Sequence, residues 1–309
     1  MATESDRSGT VTRRVPAPVL FVLGGLSMYV GAALAVGLFD RLAPSAVAVL
    51  RLIGAAAVLL AWRRPPAAAW RGRRFARASA FGLATGLMNL AFYEAIAQLP
   101  LGTAVAVEFC GPVAVAAVAS RRPRDVAAVL LAACGVLLIA DVRWSGAPWG
   151  VVWALVAAAM WAAYILLGAR VATVGNGIDD MAVGFGAAAV LLSPVLLLGN
   201  PGGVGALVDP VVLGLGIGVG VLSSVVPYVL DQVVLRRVGT ARFAVLLALL
   251  PATATIVGLV MLGQLPGGPE ALGIAAVVGA VALRSRDGDP PSPPPKSTTE
   301  SNTRPSDAV

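Results

Sequence analysis

Four ionisable side chains lie inside long apolar runs of this sequence, at Arg51, Glu94, Glu108 and Asp231. A charged group near the middle of a membrane costs about 2.5–3.5 kcal/mol on insertion scales. Such residues face a bundle interior or a cavity and pair with other polar groups. They are therefore the first candidates for a functional site.

Arg51 and Glu108 have matching positions along their helices. Arg51 lies seven residues into the second apolar run and Glu108 six residues into the fourth. With a rise of about 1.5 Å per residue, both lie about 10 Å below the same surface. We expect them to pair in the bundle interior. Two interpretations stay open: the pair locks two helices together, or it also binds substrate or exchanges protons.

Glu94 and Asp231 lie nearer the ends of their runs. As functional groups they would mark the two ends of one pathway. The alternative, which we favour for both, is structural. Glu94 would then extend toward the interface, and Asp231 would pair with Arg236 or Arg237.

Uncharged polar and aromatic residues form a further set. Asn89 and Tyr93 are four residues apart and therefore share one helix face. A buried amide needs hydrogen-bond partners, which makes Asn89 the best candidate of this set. Other candidates for a cavity lining are Met28, Tyr29, Trp161, Tyr164 and Tyr228. In helices, however, aromatic side chains more often serve packing. We also expect Gly111-Pro112 and the stretch Ser223-Ser224 to Pro227 to loosen their helices and free backbone carbonyls.

Composition excludes several other classes of site and of protein. Hydrophobic residues make up 58% of the 309 residues and charged ones 13%, too few to cover a water-facing surface. Lipid is therefore the expected surrounding. The net charge of +7 is spread over short clusters between apolar runs, which does not favour nucleic acid. Histidine is absent and both cysteines lie in apolar runs, so nothing indicates a metal site, a cofactor or a disulfide.

Apolar runs of about 20 residues predict transmembrane helices. We predict an all-α membrane protein with ten spans, at 17–38, 44–62, 76–98, 102–119, 125–141, 148–169, 181–199, 211–235, 240–263 and 269–284. A polar arm, residues 1–16, precedes them. A Pro-rich tail, residues 285–309, follows them and is too poor in apolar residues to fold.

The arginines predict an orientation. One set of connections contains nearly all of them: Arg7, Arg13, Arg14, Arg63, Arg64, Arg71, Arg73, Arg74, Arg77, Arg121, Arg122, Arg124, Arg170, Arg236, Arg237 and Arg242. The opposite set contains only Arg41 and Arg143. By the positive-inside rule the first set is cytoplasmic, which places both termini in the cytoplasm.

A short internal repeat divides the spans into two halves. Glu94 and Asp231 each stand eight positions before a Gly-Thr-Ala sequence, at 102–104 and 239–241, where we expect turns. Pro112 and Pro251 follow in the next helices. Five spans in each half would give the halves opposite orientations, the inverted repeat of many secondary transporters.

Several stretches carry a family resemblance. MNLAFYEAIAQLPLGTAVAVEFCGPVAVA at 88–116, with SRRPRD at 120–125, resembles the EamA family of the drug/metabolite transporter superfamily, and within it the bacterial threonine/homoserine exporter branch. GAALAVGLF, VLRL, WAAYILLG and SSVVPYVLDQVVLRRVGTARF, at 31–39, 49–52, 161–168 and 223–243, resemble the same family. The likeness extends from about residue 20 to 284.

The resemblance implies two EamA repeats of five spans each, at 17–141 and 148–284, around a central cavity. It implies efflux of amino acids or related metabolites through the inner membrane. Matching positions are Arg51, Asn89, Glu108, Tyr228 and Asp231. Two positions depart from the family's frequent glutamates: Leu250 stands before Pro251, and Gln264 follows Gly263.

We therefore expect a secondary exporter of amino acids or similar small metabolites, not an enzyme. Its carboxylates would exchange protons during the cycle, because a water-poor cavity favours the protonated form. The candidate residues for substrate binding or coupling are Arg51, Asn89, Tyr93, Glu108, Tyr164, Tyr228 and Asp231.

Two other functions are weighed against export. A membrane enzyme acting on lipid-linked substrates would need a loop constellation, for which Asp179-Asp180 is the candidate. A non-transporting scaffold would use the Pro-rich tail. The expected partners of the exporter are a small-molecule substrate, the lipid bilayer and protons. A homo-oligomer stays open.

Overall fold

The computed structural model describes residues 15–119, 123–144, 146–172, 177–198, 200, 202–247 and 249–285. Within these ranges all regular secondary structure is helical. The polar arm up to residue 14 and the tail from residue 286 lie outside the described residues.

Helices follow one another with short connections. In chain order they are α1 Ala17–Val36, α2 Pro44–Arg63, α3 Gly72–Ile96, α4 Leu101–Glu108, α5 Cys110–Ala119, α6 Pro123–Trp144, α7 Pro148–Ala172, α8 Gly177–Leu192, α9 Pro210–Gly220, α10 Val226–Leu247, α11 Leu249–Leu262 and α12 Gly268–Ser285. Short 3₁₀ segments occupy Ala67–Trp70, Ser193–Leu197 and Val204–Val208. A π-helical segment, Val221–Val225, joins α9 to α10.

Proline begins α2, α7 and α9, at Pro44, Pro148 and Pro210. The first helical position suits proline, because its N–H would have no intrahelical partner there and its φ angle is already helical.

The helices have the length and composition of membrane spans. Among the described residues, five helical stretches are long and apolar enough to cross a membrane: Ala17–Val36, Pro44–Arg63, Pro148–Leu167, Ile178–Leu197 and Pro210–Asp231. Shorter apolar helices cover Leu101–Val115, Val126–Ile139, Leu249–Leu262 and Gly268–Leu283. Large apolar side chains such as Val118, Val190 and Val260 face outward, with exposures of 86%, 73% and 76%. This outer surface suits lipid rather than water.

One predicted boundary is wrong. A turn was expected at 239–241 between two spans, but α10 continues through it from Val226 to Leu247. The equivalent stretch of the first half does break, between Ile96 and Leu101, where it contains Pro100. Residues 236–241 contain no proline, and a single glycine costs a helix only about 1 kcal/mol. The helix therefore passes through.

Close packing at glycines holds the bundle together. Helix α3 packs against α7 and α8, α2 against α8 and α9, and α6 against α12. A Cβ added to Gly135 of α6 would lie 2.7 Å from the carbonyl oxygen of Gly273 in α12. A Cβ added to Gly82 of α3 would overlap the backbone of Gly184 in α8. Small residues at such crossings let backbones approach and gain van der Waals contact, which drives helix association in lipid.

Polar contacts fasten both ends of the bundle. At one end, here called the Arg-rich end, Arg63 pairs with Asp179 at 3.0 Å and Arg74 pairs with Asp180 at 2.6 Å. At the opposite end, Arg41 pairs with Asp209 at 3.3 Å, and Asn200 accepts a hydrogen bond from the Ala43 N–H at 2.9 Å. Asp179 and Asp180 are therefore engaged in ion pairs that hold the start of α8.

The Gly82 contact gives a test of the packing. We expect Gly82→Ala to destabilise the protein by about 1–3 kcal/mol, the cost of overpacking. The melting temperature of the detergent-purified variant should therefore be lower than that of wild type. The matched control is Gly214→Ala in α9, where an added Cβ meets no heavy atom within 4 Å. The control should melt at the wild-type temperature or above. Equal melting of Gly82→Ala and wild type would contradict the packing described here.

Candidate functional site

A cavity of about 390 Å³ lies among the helices. Its polar lining consists of Tyr29, Arg51, Asn89, Glu108, Tyr164, Tyr228 and Asp231. Its apolar lining includes Met28, Met88, Phe92, Trp161, Phe243, Leu247 and Leu250. The cavity therefore contains six of the seven residues expected from the sequence to bind substrate or couple transport.

Arg51 is the best-anchored group of the cavity. Its side chain extends from α2 and the residue is 8% exposed. The Nη1 group donates to Asn89 Oδ1 at 2.6 Å, and the Nη2 group donates to the Ser223 carbonyl oxygen at 2.7 Å. Nε donates to Ser224 Oγ at 3.2 Å. The three acceptors fix both the position and the plane of the guanidinium group.

Proline explains why the Ser223 carbonyl is available. In an α-helix this carbonyl would accept a hydrogen bond from the N–H four residues later, which is residue 227. Pro227 has no N–H. The backbone widens into the π-helical segment Val221–Val225 immediately before it. The predicted loosening of this stretch, with a carbonyl freed toward the cavity, is confirmed.

Asn89 bridges Arg51 to α3. Its Oδ1 accepts from Arg51, and its Nδ2 donates to the Thr85 carbonyl oxygen at 2.8 Å. The amide thus has a donor and an acceptor contact that together fix its orientation. This half-buried amide thus has the hydrogen-bond partners that a polar group inside an apolar bundle needs.

Tyr93 does not line the cavity, although it shares a helix face with Asn89. It is 0% exposed, and the Arg51 guanidinium carbon lies 5.6 Å from the centre of its ring. At this distance the ring face attracts the cation. Tyr93 lies one helical turn past Asn89. Its ring packs next to the Arg51 guanidinium group instead of lining the cavity.

Glu108 reaches the cavity at the end of a helix. It is the last residue of α4 and is 8% exposed. The helix is interrupted at Phe109, three residues before Pro112, before α5 resumes at Cys110.

The predicted ion pair between Arg51 and Glu108 does not form. Both groups line one cavity, but within the described residues the ion pairs lie elsewhere. Arg51 instead donates its hydrogen bonds to α3 and to the π-helical segment.

Asp231 also faces the cavity, with Tyr228 on the preceding turn of α10. The sequence favoured an ion pair with Arg236 or Arg237. Instead, Arg237 Nη1 donates to the Val15 carbonyl oxygen at 3.0 Å, and the side chain of Arg236 lies outside the described residues. The lining thus contains one basic group and two carboxyl groups.

Glu94 has a structural role outside the cavity. Its Oε1 accepts the Ser45 N–H at 3.0 Å, at the start of α2. A helix N-terminus has unpaired N–H groups and a positive dipole end, both of which a carboxylate stabilises.

Two further side chains, Gln264 and Glu270, serve helix ends at the same side of the bundle. Gln264 Oε1 accepts the Leu101 N–H at 2.8 Å and so caps α4. Glu270, 0% exposed, accepts from the Thr103 hydroxyl and from the Gly267 N–H. Sequence reasoning missed Glu270. The signal was its third position in α12, from which a glutamate reaches back to the N-cap N–H.

Comparisons with known proteins agree with this architecture. Residues 148–286 match the EamA-like transporter family. The threonine/homoserine exporter RhtA of Salmonella typhimurium strain SL1344 is 37% identical over 280 residues, covering 87% of this chain and 92% of that protein. The threonine/homoserine exporter RhtA of Escherichia coli strain K12 is 36% identical over 282 residues, with the same coverage of both.

A protein of known crystal structure has a similar fold. It is 20% identical in sequence, with a TM-score of 0.57, and the match covers 86% of this chain and 96% of that one. At this identity the likeness bears on the fold alone.

Proposed function

We propose that this chain, which belongs to the EamA-like transporter family, exports threonine, homoserine or similar small amino acids across the inner membrane. The observation that carries the proposal is the cavity, where one anchored guanidinium faces two carboxyl groups inside an apolar bundle. A zwitterionic amino acid offers the complementary charges.

The α-carboxylate of the substrate would bind Arg51. A guanidinium has five N–H donors, and three are used in the hydrogen bonds to Asn89, Ser223 and Ser224. Two N–H groups lie outside these bonds, and a planar fork suits a carboxylate.

Glu108 and Asp231 would bind the α-ammonium group of the substrate. The tyrosine hydroxyls of the lining offer partners for a hydroxyl on the substrate side chain. The cavity volume of about 390 Å³ lies within the roughly 300–1,000 Å³ that small-molecule sites occupy.

We also propose ten membrane crossings in two inverted halves, α1–α6 and α7–α12. Exchanging the halves maps the helix contacts onto one another, which supports the proposal. The contact of α1 with α10 corresponds to that of α7 with α3, and the contact of α2 with α9 to that of α8 with α3. Helix pairs α2–α8 and α6–α12 map onto themselves.

The proline positions and the end contacts follow the same symmetry. Pro112 lies in α5 of the first half, and Pro251 lies in α11 of the second half. At the Arg-rich end, the start of α8 is held by residues flanking the α2–α3 connection. At the opposite end, the approach to α2 is held by residues of the α8–α9 connection. The Arg-rich end would face the cytoplasm, with both termini there.

Export is tested in proteoliposomes loaded with radiolabelled threonine. We expect wild type to release threonine and Glu108→Gln to abolish release, because the amide cannot neutralise the substrate ammonium group or carry a proton. Glu94→Gln is the matched control, since its amide oxygen can still accept the Ser45 N–H. The control should release threonine at the wild-type rate. A wild-type rate from Glu108→Gln would refute the role of Glu108.

Proton coupling follows from the charge balance of the site. Without substrate, one arginine and two carboxylates leave one negative charge in an apolar surrounding, and a proton on Asp231 would neutralise it. The substrate ammonium group would take the place of this proton, so that proton and amino acid occupy the site in turn. We expect threonine release from wild-type vesicles to accelerate when the outside is made acidic, because protons then enter as the amino acid leaves.

Asp231→Asn should lose this acceleration while retaining threonine–threonine exchange, which needs no net proton movement. Release from Asp231→Asn that still responds to the pH gradient would contradict coupling at Asp231.

A further inference from the structure

We propose that Pro227 and Ser224 are positioning residues that make Arg51 a carboxylate receptor and so set a preference for amino acids over the corresponding amines. The inference rests on the proposed function, because it concerns how that site recognises its substrate. Pro227 acts through the carbonyl group of Ser223, and Ser224 acts through its hydroxyl group.

The three groups that accept hydrogen bonds from Arg51 lie outside its own helix, α2. Asn89 belongs to α3, and Ser223 and Ser224 belong to the π-helical segment. A long arginine side chain has many rotamers, so without these acceptors its donors would point in varied directions. With them, the guanidinium plane is set before substrate arrives, which lowers the entropy lost on binding.

The π-helical segment is itself fixed to α1. Ser27 Oγ donates to the Leu222 carbonyl oxygen at 2.8 Å, and Ser223 Oγ donates to the Met28 carbonyl oxygen at 3.1 Å. A Cβ on Gly31 would overlap Ser223 Oγ, so the glycine is what allows this close approach. The acceptors offered to Arg51 therefore belong to a rigid support.

Pro227 decides how that support is built. An alanine at this position would supply an N–H to the Ser223 carbonyl oxygen, the usual α-helical bond. The carbonyl would then point along the helix axis, and its hydrogen bond with Arg51 would be weaker. Ser224 supplies the other fixed acceptor, at Nε, on the same edge of the guanidinium group.

The consequence is confined to ligands with a carboxylate. Threonine has the carboxylate that Arg51 would bind, whereas 1-amino-2-propanol has the same amine and hydroxyl groups without it. A substitution that disturbs the acceptors of Arg51 should weaken the binding of threonine and leave the binding of the amine nearly unchanged. A general loss of folding would weaken the binding of both compounds.

The test measures competition in proteoliposomes. Inhibition constants of unlabelled threonine and of 1-amino-2-propanol are measured against exchange of radiolabelled threonine. We expect Pro227→Ala to raise the threonine constant about tenfold, the effect of 1.4 kcal/mol, and to leave the amine constant within about twofold. Ser224→Ala should change the ratio of the two constants in the same direction. Pro251→Ala, a proline of α11 that does not line the cavity, should leave the ratio at its wild-type value.

An unchanged ratio in both Pro227→Ala and Ser224→Ala would overturn the inference. If Pro227→Ala does not fold, Ser224→Ala decides alone. A wild-type protein that exchanges no threonine would instead refute the proposed function, and the inference with it.

Discussion

A buried guanidinium group is the constraint on which the rest of this structure depends. Arg51 lies in an apolar bundle, where an unpaired charge would be costly and would not persist. The chain satisfies it with one side-chain amide, one hydroxyl and one backbone carbonyl. Those three acceptors tie α2 to α3 and to the π-helical segment. The irregular backbone at Val221–Val225 is thus part of how the charge is tolerated.

Because Arg51 is satisfied in this way, the carboxyl groups of the cavity are not consumed by an internal ion pair. Glu108 and Asp231 share the cavity with Arg51 but are held on α4 and α10. A structural ion pair would lock the helices and leave little charge for a ligand. Separate groups of opposite sign instead leave room between them for a zwitterion, and the surrounding apolar wall strengthens each electrostatic contact.

Much of the cavity lining could be predicted because polar residues are rare in apolar runs. Arg51, Asn89, Glu108 and Asp231 stand out for that reason alone, and Pro227 after two serines indicates a freed carbonyl. Depth along a helix, however, does not fix the angle around its axis. This is why Arg51 and Glu108 were expected to pair. Conversely, a shared helix face does not fix the depth, which is why Tyr93 was expected in the cavity beside Asn89. Glu270 was missed because it lies in the first turn of a helix, where a carboxylate is usually interpreted as an exposed capping residue.

The fold was predictable to the same degree. Apolar length and proline positions indicated most helices, since both act locally. The expected turn at 239–241 failed, because a sequence match to 102–104 does not reproduce the proline that breaks the first half. The acidic residues eight positions earlier also differ in role: Glu94 caps a helix, whereas Asp231 lines the cavity. Such roles depend on which neighbouring helix end lies within reach.

The most direct test of the account is threonine–threonine exchange by purified Arg51→Gln in proteoliposomes. Arg41→Gln is the control, because Arg41 is exposed and pairs with Asp209 outside the cavity. If Arg51 receives the substrate carboxylate, Arg51→Gln loses exchange by at least about tenfold, while wild type and Arg41→Gln exchange threonine equally. Wild-type exchange by a folded Arg51→Gln protein would contradict the account.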